Sequence, residues 1–190
     1  MASFLSIPLS RGTLSVRLAW QLIVQYEHKF GQNESSYWLR FELLWREYFR
    51  HLQRKHPLAC FRHQGLGLHL VPGQPSAADE GFERWCRGET GLPFIDANMR
   101  LLAQTGWMSN RGRQNVASYL VHDLGIDWRI GAAYFEQRLL DYDCASNWGN
   151  WAYIAGTGNS SERQFNVQKQ AQHYDPDGAF VRQMLTVQQP

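Results

Sequence analysis

Three short stretches of this sequence carry more polar and aromatic chemistry than a packed core requires. The first is Ser109 to Asn115, where Asn110, Arg111, Arg113, Gln114 and Asn115 crowd one helix start. Free N–H groups at a helix N-terminus, joined by two guanidinium groups, suit an anion or a polar ring system. A solvated capping turn would use the same residue types, and spacing alone favours it. The second runs from Asp141 to Trp151, with Asp141, Asp143, Asn147, Asn150, Trp148 and Trp151 inside eleven residues. Carboxylates and carboxamides at fixed spacing can read the edge of a flat heterocycle, and the same run can also be a polar turn followed by a core helix. Asp-x-Asp has the form of a metal-ligand pair, but no His or further acid lies close in sequence, so metal is the weaker reading and no metal site is expected. The third is the segment 37–55. Glu42 and Trp45 lie three positions apart, on one helix face. Arg46, Arg50 and Arg54 recur every fourth residue, followed by Lys55, with His51 and His56 nearby. A cationic stripe of this kind is commonly a solvated face. Beside a stacking aromatic it can also hold the phosphates of a single-stranded nucleic acid.

The elements that must position these residues read as helices almost throughout. Ser10 is expected to cap a helix carrying Leu14, Leu18 and Leu22 on one face and ending near Gly31. Ser35 or Ser36 opens a long helix with Tyr37, Phe41, Leu44, Tyr48 and Leu52 in register, stopping before Pro57. Residues 57–78 hold Pro and Gly without a period and read as a connecting loop. Shorter helices are expected at about 79–87, 94–105 (closed by Gly106), 110–124 (closed by Gly125), 129–140, 146–155 and 164–174. Strict alternation is nearly absent, so no sheet is expected, and no linker or repeat divides the chain. The fold class is all-α, a single helical domain over 1–190.

Composition sets wide bounds. At 190 residues a chain can bury roughly 70% of its unfolded surface. Apolar residues at 44% and charged residues at 19% are ordinary for a globular domain, whereas 14% aromatic content with eight Trp is high. A net charge of +2 means that nucleic-acid binding would need a local basic face. Cys60, Cys86 and Cys144 lack disulfide or metal spacing and read as reduced thiols, which points to the cytoplasm or an organellar matrix. No run approaches the about 18 apolar residues of a membrane helix, and Met1 to Ser10 lacks the form of a secretory signal. Trp38, Trp107 and Trp148 are expected to be core rings, His122 and His173 surface or capped histidines, and Cys144 a small buried hydrophobe.

Taken together and in order, these segments resemble the flavin domain of the cryptochrome/photolyase family. The resemblance rests on Glu-Leu-Leu-Trp-Arg-Glu-Tyr-Phe-Arg at 42–50, Gly-Glu-Thr-Gly-Leu-Pro-Phe-Ile-Asp-Ala-Asn-Met-Arg at 88–100 and Trp-Met-Ser-Asn-Arg-Gly-Arg-Gln-Asn-Val-Ala-Ser at 107–118. It continues through Asp-Leu-Gly-Ile-Asp-Trp-Arg at 123–129 and Asp-Tyr-Asp-Cys-Ala-Ser-Asn-Trp-Gly-Asn-Trp at 141–151, and covers nearly the whole chain. Residues 3–17 are similar to the family's flavin-phosphate loop, with Ala2 and Phe4 where a hydroxyl and often a basic residue are typical. Residues 149–159 and 165–170, together with Gln114, are similar to the DASH branch in particular.

The resemblance implies bound FAD. Ser3, Leu5 and Ser6 would meet its pyrophosphate. Asn110 and Arg113 would lie against the flavin, with Arg113 paired to Asp141. Asp143 would contact the ribityl chain or the isoalloxazine edge, and Asn147 would face flavin N5. It also implies light-driven electron transfer from reduced flavin to cyclobutane pyrimidine dimers, preferably in single-stranded DNA, as in a deoxyribodipyrimidine photolyase. Glu42 and Trp45 would bind the flipped dimer, Arg46 and Arg111 would face phosphate or dimer, and Gln114 and Tyr153 would line the same DNA-binding site. Tyr153 stands where classical photolyases carry a second dimer-stacking Trp. Trp151 and Trp128 match the two flavin-proximal relay tryptophans. The third relay position falls near Pro75, and no Trp occurs between Trp45 and Trp85. The family's N-terminal α/β domain is not matched, so no antenna chromophore is expected, and a partner chain could supply that half. Two other readings stay open: a light-signalling or nucleic-acid-binding module without repair activity, and an inactive truncated fragment.

Overall fold

The computed structural model describes residues 4–67, 80–158 and 161–186, and these residues form helices without a strand. In chain order the helices are α1 (Ser6–Ser10), α2 (Val16–Phe30), α3 (Glu34–Lys55), α4 (Glu80–Arg87), α5 (Pro93–Thr105), α6 (Asn110–Ser118), α7 (Trp128–Arg138), α8 (Cys144–Ile154), α9 (Val167–Tyr174) and α10 (Ala179–Thr186). A 3₁₀ turn, Ala59–Phe61, follows α3, and a π-helical turn, Tyr119–Asp123, extends α6.

Local chemistry explains most of the boundaries. Asn33 caps α3 through a reciprocal box: its Oδ1 accepts from Ser36 N at 3.0 Å, and Ser36 Oγ accepts from Asn33 N at 3.2 Å. The helix opens at Glu34, so the expected opening at Ser35 or Ser36 is one or two residues late. Ser10 does not cap α2. It ends α1, its hydroxyl donating to Ile7 O, while Ser15 caps α2 by accepting from Leu18 N at 3.1 Å. Pro93 opens α5 and Gly106, in the left-handed region, closes it. Asp143 caps α8, accepting from Ser146 N at 3.0 Å and Ser146 Oγ at 2.7 Å. Two elements lie outside the expected set, α1 and α10. For α10, Asp175 supplies the start, its two carboxylate oxygens accepting from Phe180 N and Val181 N. Helix α10 then packs on α5, with Phe180 6.3 Å from Phe94 between ring centres.

The main core joins α4 to α8 around Trp85, Ile95, Met99, Leu102, Val116, Leu120, Trp128, Phe135, Trp151 and Ile154. A second apolar cluster, Leu9, Ala19, Ile23 and Leu43, binds α1 and α2 to α3. Two glycines set the closest helix crossings. A Cβ on Gly149 would stand 2.3 Å from the Phe49 ring, so α8 meets α3 only because that position is bare. A Cβ on Gly131 would stand 2.3 Å from Trp151, which fixes α7 against α8 in the same way.

The expected apolar faces of α2 and α3 are not the buried ones. Leu18 and Leu22 are exposed, and Ala19 and Ile23 fill the core instead. On α3 the buried residues are Ser36, Leu43 and Phe49, whereas Tyr37, Leu44 and Tyr48 face outward. Trp38, expected in the core, is 49% exposed. Both helices carry apolar residues on more than one side, so periodicity alone marks two faces and cannot rank them.

Candidate functional site

Around the start of α8, two ion pairs and one amide tie the helices together. Arg113, on α6, donates through Nη2 to both oxygens of Asp141, at 2.9 and 2.7 Å, and through Nε to Met108 O at 2.9 Å. The Asp141 side chain has no exposed surface, and Arg113 keeps about a quarter of its own. Two residues on, Asp143 accepts from Arg50 Nη2 at 2.8 Å, which brings α3 to the N-terminus of α8. Burial alone would raise the Asp143 pKa. The hydrogen bonds from Arg50 and from the side chain and backbone of Ser146 outweigh it and hold the carboxyl below the usual range.

One turn further, Asn147 is buried and donates through Nδ2 to Ala132 O at 2.9 Å. That bond fixes the amide, and no hydrogen bond to its Oδ1 is formed among the described residues. Behind it Trp151 is buried, 5.1 Å from Phe135 and 6.3 Å from Trp85 between ring centres. Trp128 is buried too, donating through Nε1 to His63 O at 3.0 Å and lying 5.8 Å from Trp148.

A second group opens beside α3. The Trp45 and Tyr153 rings are 5.8 Å apart and line a small cavity with Tyr48, Phe49 and Trp148. Glu42 keeps more than a third of its surface in solvent, yet the surrounding groups remove enough water to raise its pKa, and the cationic Arg111 lowers it by less. Arg111 donates to Gln114 Oε1 at 2.8 Å and lies 4.7 Å over the Tyr174 ring. Arg163 lies 5.4 Å over Tyr153.

The residues singled out from sequence therefore fall into two groups. Arg113, Asp141, Asp143 and Asn147 gather around the start of α8, whereas Trp45 and Tyr153 line the cavity, and Glu42, one turn before Trp45, is near Arg111, which holds Gln114. Asn110 is exposed at the first position of α6, Leu5 and Ser6 lie at the start of α1, and Ser3 lies outside the described residues, as does the third relay position near Pro75. The basic stripe on α3 is divided. Arg46 is turned inward, its side chain 13% exposed, donating to Glu47 Oε1 and, at 3.4 Å, to Leu9 O. Arg50 is held by Asp143, and Arg54 alone of the three arginines is exposed. Cys144 is half-buried and accepts from Gln53 Nε2 at 3.1 Å. His122 meets Ile154 O at 3.1 Å, and His173 is exposed.

Sequence reading left out three members of this arrangement. Arg163 lies over Tyr153 and Tyr174 under Arg111, and only the fold brings them there. Arg50 was visible as a basic residue, but its partner lies 93 positions away. Among the described residues no group of His, Cys, Asp and Glu could hold a metal ion, and no helix is long and apolar enough to cross a membrane.

Comparison with known proteins gives these positions a family. The model of the FAD binding domain of DNA photolyase matches residues 38–188. A cryptochrome DASH of Gloeobacter violaceus is 54% identical over 93% of this chain and 35% of that protein. One from Idiomarina loihiensis is 52% identical over 91% of this chain and 38% of that protein, so the chain spans little more than a third of the relatives it matches. In structure, a cryptochrome of Synechocystis sp. superposes with a TM-score of 0.90 at 48% identity, over 97% of this chain and 38% of the other. A bacterial class III photolyase of Agrobacterium tumefaciens gives 0.87 at 34% identity, again over 97% and 38%. The expectations of an all-α fold, of a photolyase-type flavin domain and of FAD as its cofactor therefore stand, and the chain belongs to the photolyase/cryptochrome family, through the FAD-binding domain that it shares with the DASH cryptochromes.

Proposed function

We propose that this chain holds FAD against α6 and α8 and that it serves the light-driven splitting of cyclobutane pyrimidine dimers in single-stranded DNA. The observation that carries the reading is the group at the start of α8: an ion pair with a fully buried carboxylate, a second pinned carboxylate and a fixed, buried amide whose oxygen has no hydrogen bond among the described residues. Those donors and acceptors fit a flavin. A cation such as Arg113 favours the anionic reduced ring, and Asn147 can donate or accept at N5. When bound, FAD supplies the light-excited electron.

The chain's own residues hold and orient. Arg113 is kept in place by Asp141 and Met108 O, so its charge has one position. Asp143, clamped by Arg50, is assigned to the ribityl chain or ring edge, and Asn110 to the flavin face. Ser3, Leu5 and Ser6 are assigned to the pyrophosphate. Trp151 and Trp128 are the proposed electron relay. Glu42, Trp45, Arg111, Gln114 and Tyr153 receive the flipped dimer, an arrangement supported by the ring pair Trp45–Tyr153 beside a carboxyl of raised pKa. Unstacking a damaged base costs least in a single strand, which favours that substrate. Arg46 is the exception. Its contacts with Leu9 O and Glu47 support a role in holding α1 against α3 in place of phosphate contact.

The test is the absorption spectrum of the purified chain and of its supernatant after heating, followed by illumination with a dimer-bearing oligonucleotide. Flavin released at about one per chain and light-dependent cleavage is the expected result. A colourless chain that takes up no added FAD contradicts the cofactor site. Bound flavin without cleavage leaves the second reading, a light-signalling or nucleic-acid-binding domain, which the absence of Trp between Trp45 and Trp85 favours.

A further inference from the structure

The aromatic residues of α3 continue beyond the cavity. From Trp45 toward the start of the helix, Phe41 lies 6.2 Å away, Trp38 5.4 Å from Phe41, and Tyr37 5.4 Å from Trp38 and 6.1 Å from Phe41, nearly parallel to it. On the other side Tyr48 lies 5.4 Å from Trp45. Tyr37, Trp38 and Tyr48 are 47%, 49% and 37% exposed. None of them is needed to hold the helix. Packing on α2 uses Leu39 and Leu43, and packing on α8 uses Phe49 against Gly149.

Open rings on a helix could also meet an apolar partner, and the surrounding charge decides between the two. Arg163 stands over Tyr153, Arg111 is near Glu42, and Arg54 and Lys55 are exposed at the C-terminal end of α3. Glu34, about one turn before Tyr37, marks where the face ends. Cations beside a row of accessible ring faces are what a polyanion carrying flat bases requires. An apolar protein partner would gain nothing from the cations.

We propose that Tyr37, Trp38, Phe41 and Tyr48 form a stacking platform for undamaged bases of a single strand, which leads that strand to the Trp45–Tyr153 cavity. The proposal deepens the DNA reading above and rests on it for the kind of partner. It is independent of the flavin. Stacking is tolerant of sequence because every base has a π face, so the platform would bind thymidine tracts and mixed strands alike.

The experiment titrates the FAD-supplemented chain with an unmodified oligothymidylate, and separately with the same oligomer bearing one dimer. In Trp38→Ala, affinity for the unmodified strand is expected to fall roughly 5- to 150-fold, the loss of one base stack. Trp38→Phe should recover most of that affinity, and the slope of log affinity against log salt should stay unchanged, because no phosphate contact is removed. The preference for the dimer-bearing oligomer should also persist in Trp38→Ala and be lost in Glu42→Gln. Loss of dimer preference in the unmodified chain, with oligothymidylate binding intact, would count against the repair reading alone. Unchanged oligothymidylate affinity in Trp38→Ala overturns the platform. So does a Trp38→Ala chain that keeps its DNA affinity but sediments as a smaller species, since the face would then meet protein.

Discussion

Asp143 serves two structures at once, as the cap of α8 and as the anchor of Arg50 on α3. Its depressed pKa makes the stabilisation dependent on pH. It is present above the ordinary carboxylate range and is lost as pH falls through the depressed value. Arg50→Ala is expected to cost about 1 kcal/mol at neutral pH, near the lower limit for a charged hydrogen bond because Arg50 is partly exposed. In urea denaturation the difference from the unmodified chain should vanish once the carboxyl is protonated. A difference that persists in acid would mean that Arg50 acts through packing. Glu42 carries the opposite sign. Its raised pKa means that the folded chain binds the proton more tightly than the unfolded one, so stability falls as pH rises from the ordinary value through the raised one. Glu42→Gln should therefore raise the melting temperature at neutral pH and leave it unchanged in acid. No gain at neutral pH would show that the neighbouring rings leave the carboxyl well hydrated. A carboxyl kept at such a cost beside Trp45 and Arg111 is consistent with a role in binding.

At the scale of elements, Gly149 lets α8 lie directly on Phe49 of α3. Gly149→Ala is expected to cost about 1–3 kcal/mol through overpacking, read as a lower denaturant midpoint. Phe49→Leu in the same chain should recover part of the loss, and equal loss in both would place the strain elsewhere. The crossing matters to the site because it sets Arg50 within reach of Asp143. Such crossings are hard to see in a sequence: Gly149 reads as a weak helix residue, and only Phe49, a hundred positions earlier, explains it. Helix ends were more legible, because Gly106, Pro93 and Asp143 act on their own neighbours. The start of α2 misled because Ser10 and Ser15 are both good caps, and Gly12 between them takes the turn. For the site, the motifs brought forward Arg113, Asp141, Asp143 and Asn147 together. They could not show that Arg46 turns inward or that Arg163 meets Tyr153 and Tyr174 meets Arg111, since those depend on how distant helices pack. The aromatic period of α3 was legible too, but it marks the outward face. A large ring placed to meet a ligand has the same spacing as one placed to fill a core.

On the scale of the whole molecule, the proposed cofactor residues lie on two groups of helices, each with its own apolar cluster. The main core binds α4 to α8, and a separate small cluster binds α1 and α2 to α3. Between them run the Phe49–Gly149 crossing and the polar tie of Arg50 to Asp143, with Arg46 4.0 Å from the same carboxylate. A ligand that touches both groups would add to that crossing, and its binding energy would appear as stability of the whole. Linkage gives the size: free FAD at about 100 times its dissociation constant adds about 2.7 kcal/mol. For a chain of this length that is a rise of roughly 5–11 °C in the melting temperature, and it grows with the logarithm of FAD concentration. Asp141→Ala tests the route. It leaves Arg113 without its partner and should destabilise the free chain, by up to about 3–5 kcal/mol for a fully buried pair and less here because Arg113 is partly exposed. It should also flatten the response to FAD, because an Arg113 no longer held in place cannot present its charge in one position. A melting temperature that rises with FAD equally in both chains would show that the ion pair holds α6 to the start of α8 and does nothing for the cofactor.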